Sequence, residues 1–154
     1  MDFERARFNM IEQQIRPWNV LDPGVLDLLR QVPREQFVTP PQQSLAFADL
    51  SIPLDHDQVM MQPKVEARLI QALALSRQDR VLEIGTGSGY LTALLAASAA
   101  TVVSVEISSA LSLQAGARLQ NAGFDTVDLK VGDAANGWPG GQPYDAIIIT
   151  GSLP

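Results

Sequence analysis

The 154-residue chain has no cysteine and a single histidine, His56. Lack of cysteine excludes disulfides, thiolate zinc sites and cysteine nucleophiles, and it fits a cytoplasmic protein. No metal is called for. No apolar run approaches the roughly 20 residues needed to span a bilayer, so no membrane partner is expected. The N-terminus, Met-Asp-Phe-Glu-Arg-Ala-Arg, lacks the charged-then-apolar layout of a secretion signal. Positive charge is in deficit, with eleven Lys and Arg against seventeen Asp and Glu, a net charge of −6. That balance argues against a nucleic-acid partner, because phosphate-tracking proteins usually carry a basic face. Arg5, Arg7, Arg16, Arg30 and Arg34 gather in the first quarter, but Glu4, Glu12 and Glu35 are interleaved as on a solvated helical face. Repeats and low-complexity segments are also missing. What remains is an ordinary globular composition, long enough for one domain with a substantial core.

Asp2 to Ile15 reads as a helix with an imperfect apolar stripe of Phe3, Met10, Ile11 and Ile15, stopped by Pro17. Asp22 then has the form of an N-cap with Pro23 at the first helical position, and Pro33 ends the run. From Pro33 to Pro63 no period is sustained, and a long irregular stretch of this kind is usually functional or poorly ordered. Pro63 restarts a helix to about Leu75. Strands are expected at 80–84, 101–105, 126–131 and 144–150, and the second is continuously apolar apart from Ser104. Helices are expected at Leu91–Ala99 and after a Ser108 or Ser109 cap, closed by Gly123, with a loop over 137–143. The alternation predicts an α/β fold: a Rossmann-like, doubly wound, mostly parallel sheet behind an N-terminal helical extension. The extension is assigned to 1–62 and the sheet core to 63–154, together forming one structural domain. Because the chain stops at Pro154, directly after the fourth strand, the sheet is expected to be incomplete and the chain truncated. The Ile147-Ile148-Ile149 strand would be an exposed edge, covered by a second copy as a homodimer or by strand exchange along Tyr144 to Thr150.

The most informative stretch is Val81 to Tyr90, Val-Leu-Glu-Ile-Gly-Thr-Gly-Ser-Gly-Tyr. A short apolar strand runs into Gly85, Gly87 and Gly89, and a helix follows. Strand, glycine turn and helix open a nucleotide site in doubly wound proteins, with glycine permitting positive φ and close approach. The dinucleotide fingerprint would place its third glycine at position 90, where Tyr90 stands, so the spacing departs from the nicotinamide pattern. No Gly-Lys-Ser/Thr closes the turn, which removes a P-loop. Glu106, about 20 positions on at a strand end, is placed to accept both hydroxyls of a ribose. Asp133, after Gly132, is placed to accept from an adenine amine. Glu83 precedes the turn by two residues. Each has a plain alternative: Glu106 as a helix-capping acid beside Ser108, Asp133 as a turn residue. Their grouping around one glycine turn favours a nucleoside ligand.

Glu83 to Tyr90 resembles the first motif of S-adenosylmethionine-dependent methyltransferases. More narrowly, the chain resembles the protein-L-isoaspartate O-methyltransferase family. The similarity runs through Met10–Ile15, Val32–Val38, Ala46–Asp49, Val81–Tyr90, Ser104–Glu106, Gly132-Asp133 with Gly137-Trp138, and Tyr144–Ile147. The resemblance implies S-adenosyl-L-methionine as cofactor. Glu106 would hold the ribose, Asp133 the adenine side, and the turn of Gly85, Thr86, Gly87, Ser88 and Gly89 would face the methionine portion, with Glu83, Ile107, Gly132 and Ala134 also counted among the cofactor-binding residues. It also implies a protein or peptide carboxylate as substrate, methylated at isoaspartyl residues in protein repair, with Asp49 positioning the substrate main chain.

Two features depart from the family. Where its members read Gly-Gln-Thr-Ile-Ser-Gln-Pro, this chain reads Asp57-Gln58-Val59-Met60-Met61-Gln62-Pro63. Met61 occupies the position of the active-site serine and cannot supply a hydroxyl. A Met pair is by itself most simply packing. The second departure is the missing C-terminal portion. Methyl transfer from a sulfonium needs alignment more than acid–base groups, so one loop histidine between Asp55 and Asp57 is no obstacle. Trp138 reads as packing near the Gly137 turn. The alternatives are a methyltransferase with another acceptor and a non-catalytic cofactor-binding or oligomerising module.

Overall fold

In the computed structural model, which describes residues 1–141 and 143–151, Asp2 accepts a hydrogen bond from Arg5 N at 3.0 Å and so caps helix α1 (Phe3–Met10). The helix then widens into a π turn over Ile11–Ile15 and tightens into a 3₁₀ turn over Arg16–Trp18. That change of pitch is why the apolar stripe read as imperfect: Met10, Ile11 and Ile15 are buried while Phe8 is exposed. Pro17 lies inside the 3₁₀ turn, and the chain reverses at Asn19 with φ 63°. Helix α2 (Pro23–Gln31) opens as expected, with Asp22 Oδ1 accepting from Val25 N at 3.0 Å and Val25, Leu26 and Leu29 turned inward.

The stretch expected to be irregular is ordered into short pieces. Two 3₁₀ turns, Arg34–Phe37 and Pro40–Leu45, precede an antiparallel hairpin of β1 (Ile52–Pro53) and β2 (Val59–Met60). Turns of four to six residues and strands of two are too short to leave a period in the sequence. Helix α3 (Pro63–Leu73) follows and ends at Ala74, which takes a left-handed conformation.

The second half is built on four parallel strands: β3 (Arg80–Ile84), β4 (Thr101–Glu106), β5 (Asp128–Val131) and β6 (Ala146–Ile149). Helix α4 (Tyr90–Ser98) joins β3 to β4, and α5 (Ser109–Asn121) joins β4 to β5. The strand order is β5-β4-β3-β6. The chain therefore builds outward from β3 to β4 and β5, then returns to the other side of β3. That reversal is a topological switch point, and the crevice outside the carboxyl ends of the strands there is where such sheets bind ligands. Observed β5 and β6 are shorter than their expected spans. Beyond β6, Asp145 and Thr150 still bond to the ends of β3, through Arg80 N to Asp145 Oδ2 at 2.8 Å and Thr150 N to Ile84 O at 2.9 Å.

Among the described residues β6 has β3 as its one neighbour, and Ile147 and Ile149 are 57% and 52% exposed. The expected stop at Pro154 and Gln142 of the expected 137–143 loop lie outside the described residues. The chain falls into two compact units, Met1–Ala74 and Leu75–Pro154. The division expected after residue 62 lies before α3, which belongs to the first unit. No helix among the described residues is long and apolar enough to cross a membrane.

Candidate cofactor site

The turn from β3 into α4 follows from its glycines. Gly85, Gly87 and Gly89 all have positive φ, at 103°, 55° and 91°. A Cβ on Gly85 would stand 2.6 Å from Gly151 N, and one on Gly89 would press on Ala115 of α5 at 3.3 Å. Gly89 also serves as the left-handed N-cap of α4. These glycines thus let the fold close on itself as well as keeping side chains out of the crevice. Within the turn Thr86, Ser88 and Gly89 are buried, whereas Gly85 and Gly87 retain accessible surface.

Glu106 ends β4 beside the turn. Its Oε1 accepts from Gly87 N at 3.0 Å and its Oε2 from Ser108 N at 2.9 Å. Ser108 in turn caps α5, its Oγ accepting from Leu111 N at 3.2 Å. Helix capping and ligand binding are therefore compatible roles for Glu106. A carboxylate offers about four lone-pair sites, so two N–H bonds orient it and leave capacity for two hydroxyl donors. The free acceptor sites suit a ribose diol. Next to it Ile107 is 72% exposed, an apolar surface at the mouth of the crevice.

Asp133 is exposed, with Oδ1 accepting from Ala135 N at 2.9 Å in a local turn. The Trp138 ring lies on Gly132, where a Cβ would meet it at 2.7 Å. Trp138 thus packs on Gly132, five residues before the glycine of its own turn, and leaves Gly132, Asp133 and Ala134 following β5 at the same end of the sheet as Glu106.

Glu83 is placed differently. It has no exposed surface, and its Oε1 accepts from Thr92 Oγ1 at 2.5 Å and Ser104 Oγ at 2.6 Å. Expected as a ligand contact, it lies inside the protein. Ser104 was visible in the sequence as the polar break in an apolar strand. Thr92, in the first turn of α4, carried no such signal.

The first unit holds the other expected residues. Asp49 is exposed and pairs with Lys64 Nζ at 2.9 Å, the ammonium lying 4.7 Å from the centre of the Trp18 ring. Met61 follows β2, where Met60 is buried and Val59 is 57% exposed, and is itself half-buried. Its carbonyl accepts from Arg34 Nη2 at 2.8 Å. Arg34, 1% exposed, also donates from Nε to Ala46 O at 2.6 Å and from Nη1 to Glu66. One buried guanidinium therefore ties the Ala46 loop and the Met61 segment to α3. Burial raises the Glu66 pKa from its ordinary 4.5 to about 7, opposed by the charge and hydrogen bond of Arg34. Composition alone did not single out this pair, because Arg34 read as part of a solvated basic run. His56 sits at the tip of the β1–β2 hairpin with φ 59°, exposed.

A parallel sheet with a switch point, a three-glycine turn and a held acid at the next strand end together define a Rossmann-like nucleoside-binding protein of the methyltransferase type. The protein-family model for Protein-L-isoaspartate(D-aspartate) O-methyltransferase (PCMT) matches residues 5–154, and the chain belongs to that family. It is 44% identical over 151 residues to protein-L-isoaspartate O-methyltransferase 2 of Pelobacter propionicus, covering 98% of this chain and 67% of that one. The corresponding enzyme of Opitutus terrae is 43% identical over 152 residues, covering 96% and 65%. Enzyme 1 of Rhodopseudomonas palustris strain HaA2 is also 43% identical, covering 99% and 62%. The chain thus spans about two thirds of the length of these relatives. A solved protein-L-isoaspartate O-methyltransferase superposes with a TM-score of 0.74 at 28% identity, covering 96% of this chain and 47% of that one. A Plasmodium falciparum structure assigned to the same activity, in complex with S-adenosyl-L-homocysteine, has a TM-score of 0.75. It covers 100% and 77% of the two chains at 17% identity, a likeness of fold.

Proposed function

We propose that this chain binds S-adenosyl-L-methionine at the β3–α4 turn and supplies the cofactor-binding part of a protein carboxyl methyltransferase acting on isoaspartyl residues. The observation that carries the reading is the Glu106 carboxylate, held by Gly87 N and Ser108 N and retaining acceptor capacity beside the glycine turn. On this reading Glu106 takes the ribose hydroxyls, Ile107 packs on the base, Asp133 accepts from the adenine amine, and Gly85 and Gly87 face the methionine end. The cofactor, when bound, supplies a methyl group already activated on a sulfonium, so an acceptor carboxylate needs no general base. Asp49 would position the substrate backbone. Met61 supplies no hydroxyl where the family pattern implied by the resemblance has a serine, which supports a different acceptor as the second reading. The exposed Ile147 and Ile149 support pairing of β6 with a second copy or an exchanged segment. The cysteine-free composition supports a cytoplasmic location.

Two measurements test the reading. Titration with S-adenosyl-L-homocysteine is expected to show binding that Glu106→Ala weakens by about 10–100-fold, the range for hydrogen bonds to a charged group; an unchanged affinity overturns the ribose assignment. Incubation with an isoaspartyl peptide and methyl-labelled cofactor is expected to leave a base-labile ester. Binding without any ester would move the assignment to another acceptor or to a non-catalytic module. A monomer in light scattering with unprotected β6 amides overturns the strand-pairing part.

A further inference from the structure

A buried chain of oxygen atoms runs beneath the glycine turn. Thr86 Oγ1 lies 2.6 Å from Ser104 Oγ, which lies 2.6 Å from Glu83 Oε1, and Thr92 Oγ1 reaches the same carboxylate oxygen at 2.5 Å. Glu83, Thr92 and Ser104 are all completely buried and Thr86 nearly so. Proton bookkeeping gives the chain a direction. Ser104 and Thr92 both donate their hydroxyl hydrogens to Glu83 Oε1. Ser104 has one hydroxyl hydrogen, already committed, so Thr86 must donate to Ser104. The carboxylate thereby orients a hydroxyl inside the turn, two bonds away.

The four residues come from four pieces of the site. Glu83 and Ser104 face each other in register on β3 and β4, Thr92 sits in the first turn of α4, and Thr86 stands between Gly85 and Gly87. The turn itself has little intrinsic preference for one shape, because its three glycines have wide backbone freedom. Something must select the conformation in which Gly87 N points at Glu106. Thr86 is the residue of the turn best placed to do so, as its side chain is anchored while its neighbours have none.

We infer that Glu83 is a positioning residue: acting through Ser104 and Thr86, it holds the glycine turn in its ligand-accepting shape and does not touch the cofactor. The inference rests on the proposed cofactor reading for its consequence in binding, but its structural content is independent of that reading. A carboxylate with no exposed surface and two hydroxyl donors cannot also contact a ligand without leaving its site. Its influence on affinity should therefore depend on the intervening hydroxyls.

The test uses Glu83→Gln, Ser104→Ala, Ser104→Thr and Thr86→Val in the full 154-residue chain, with two readouts. The first is affinity for S-adenosyl-L-homocysteine. Ser104→Ala and Thr86→Val should each weaken it by about tenfold, the scale of one buried hydrogen bond. The double variant should be little worse than either single one, because both break the same link. Ser104→Thr, which keeps the hydroxyl, should restore most of the affinity. Additive losses, or equal losses for Ser104→Ala and Ser104→Thr, overturn the inference. The second readout is amide hydrogen exchange of residues 85–89 without any ligand. Glu83→Gln and Ser104→Ala should accelerate exchange at Gly87 while the amides of α5 beyond its first turn stay protected. Unchanged exchange overturns the inference whatever the wild type binds. Failure of the wild type to bind, with exchange accelerated as expected, would instead overturn the functional reading and leave the positioning role standing.

Discussion

Gly85 and Gly151 touch through their backbones, so that a Cβ on Gly85 would come within 2.6 Å of Gly151 N. The contact is sealed by Gly151 N and Thr150 N, which both donate to Ile84 O, and by Thr150 Oγ1 donating to Gly85 O at 3.0 Å. The end of β6 is thus locked onto the start of the glycine turn. Gly85→Ala meets both a backbone clash and an unfavourable φ, and is expected to cost about 1–3 kcal/mol. Urea unfolding measures the cost. The same variant should lose cofactor binding, and an Ala variant as stable as wild type would show that the strand end yields easily.

The buried Arg34–Glu66 pair predicts a pH dependence of stability. Glu66 titrates near 7 in the folded chain and near 4.5 when unfolded. Between those values the folded form keeps a proton that the unfolded form has lost. As far as this group is concerned, stability is fully present below about pH 4.5 and is lost as pH rises through about 7, by up to ~3 kcal/mol. Denaturant midpoints at pH 5 and pH 8 should differ accordingly. Glu66→Gln, which has no titrating proton, should flatten that slope.

At the hairpin tip His56 and Asp57 have φ 59° and 56°, and Gln58 N closes the turn on Asp55 O at 3.3 Å. Positive φ at two successive positions is the requirement of a type I′ turn, which Asn-Gly meets more readily than His-Asp. Asp57→Gly should therefore stabilise the protein by roughly 0.5–1 kcal/mol, with His56→Asn adding to it. A lowered thermal midpoint would show that the wild-type side chains make up for their strain.

Val59→Thr with Met61→Ser introduces the hydroxyls that the family pattern implied by the resemblance has at these two positions. The Met61 carbonyl is held by buried Arg34, so the new serine should occupy the same backbone position. Methyl transfer to an isoaspartyl peptide should rise by at least about tenfold if one hydrogen bond is regained. No gain, with cofactor affinity intact, would indicate that the acceptor is of another kind.

Much of the architecture was legible because it depends on local chemistry. Asp2, Asp22 and Ser108 mark helix starts through their own side chains, and β3 spans the residues 80–84 expected of it. The region between Pro33 and Pro63 was not legible, because its pieces are shorter than any period and are held by distant groups, with Arg34 reaching Ala46 and Met61. Arg34 itself was hidden by the company it keeps, since a buried arginine and a surface arginine look alike in a charged stretch.

The clearest division concerns the two glutamates beside the glycine turn. By itself the sequence determined that a glycine-rich turn lies between a strand and a helix, with an acid before it and another at the next strand end, in a pattern shared with its family. It could not decide which acid faces a ligand. What the structure adds is how each is held: Thr92 of α4 and Ser104 of β4 donate to a Glu83 with no exposed surface, whereas Glu106, the last residue of its strand and 6% exposed, accepts from two backbone N–H groups. That difference needs the third dimension because three of these partners, Gly87, Thr92 and Ser104, lie 9 to 21 residues from their glutamate in the chain, and only Ser108, two residues beyond Glu106, is local.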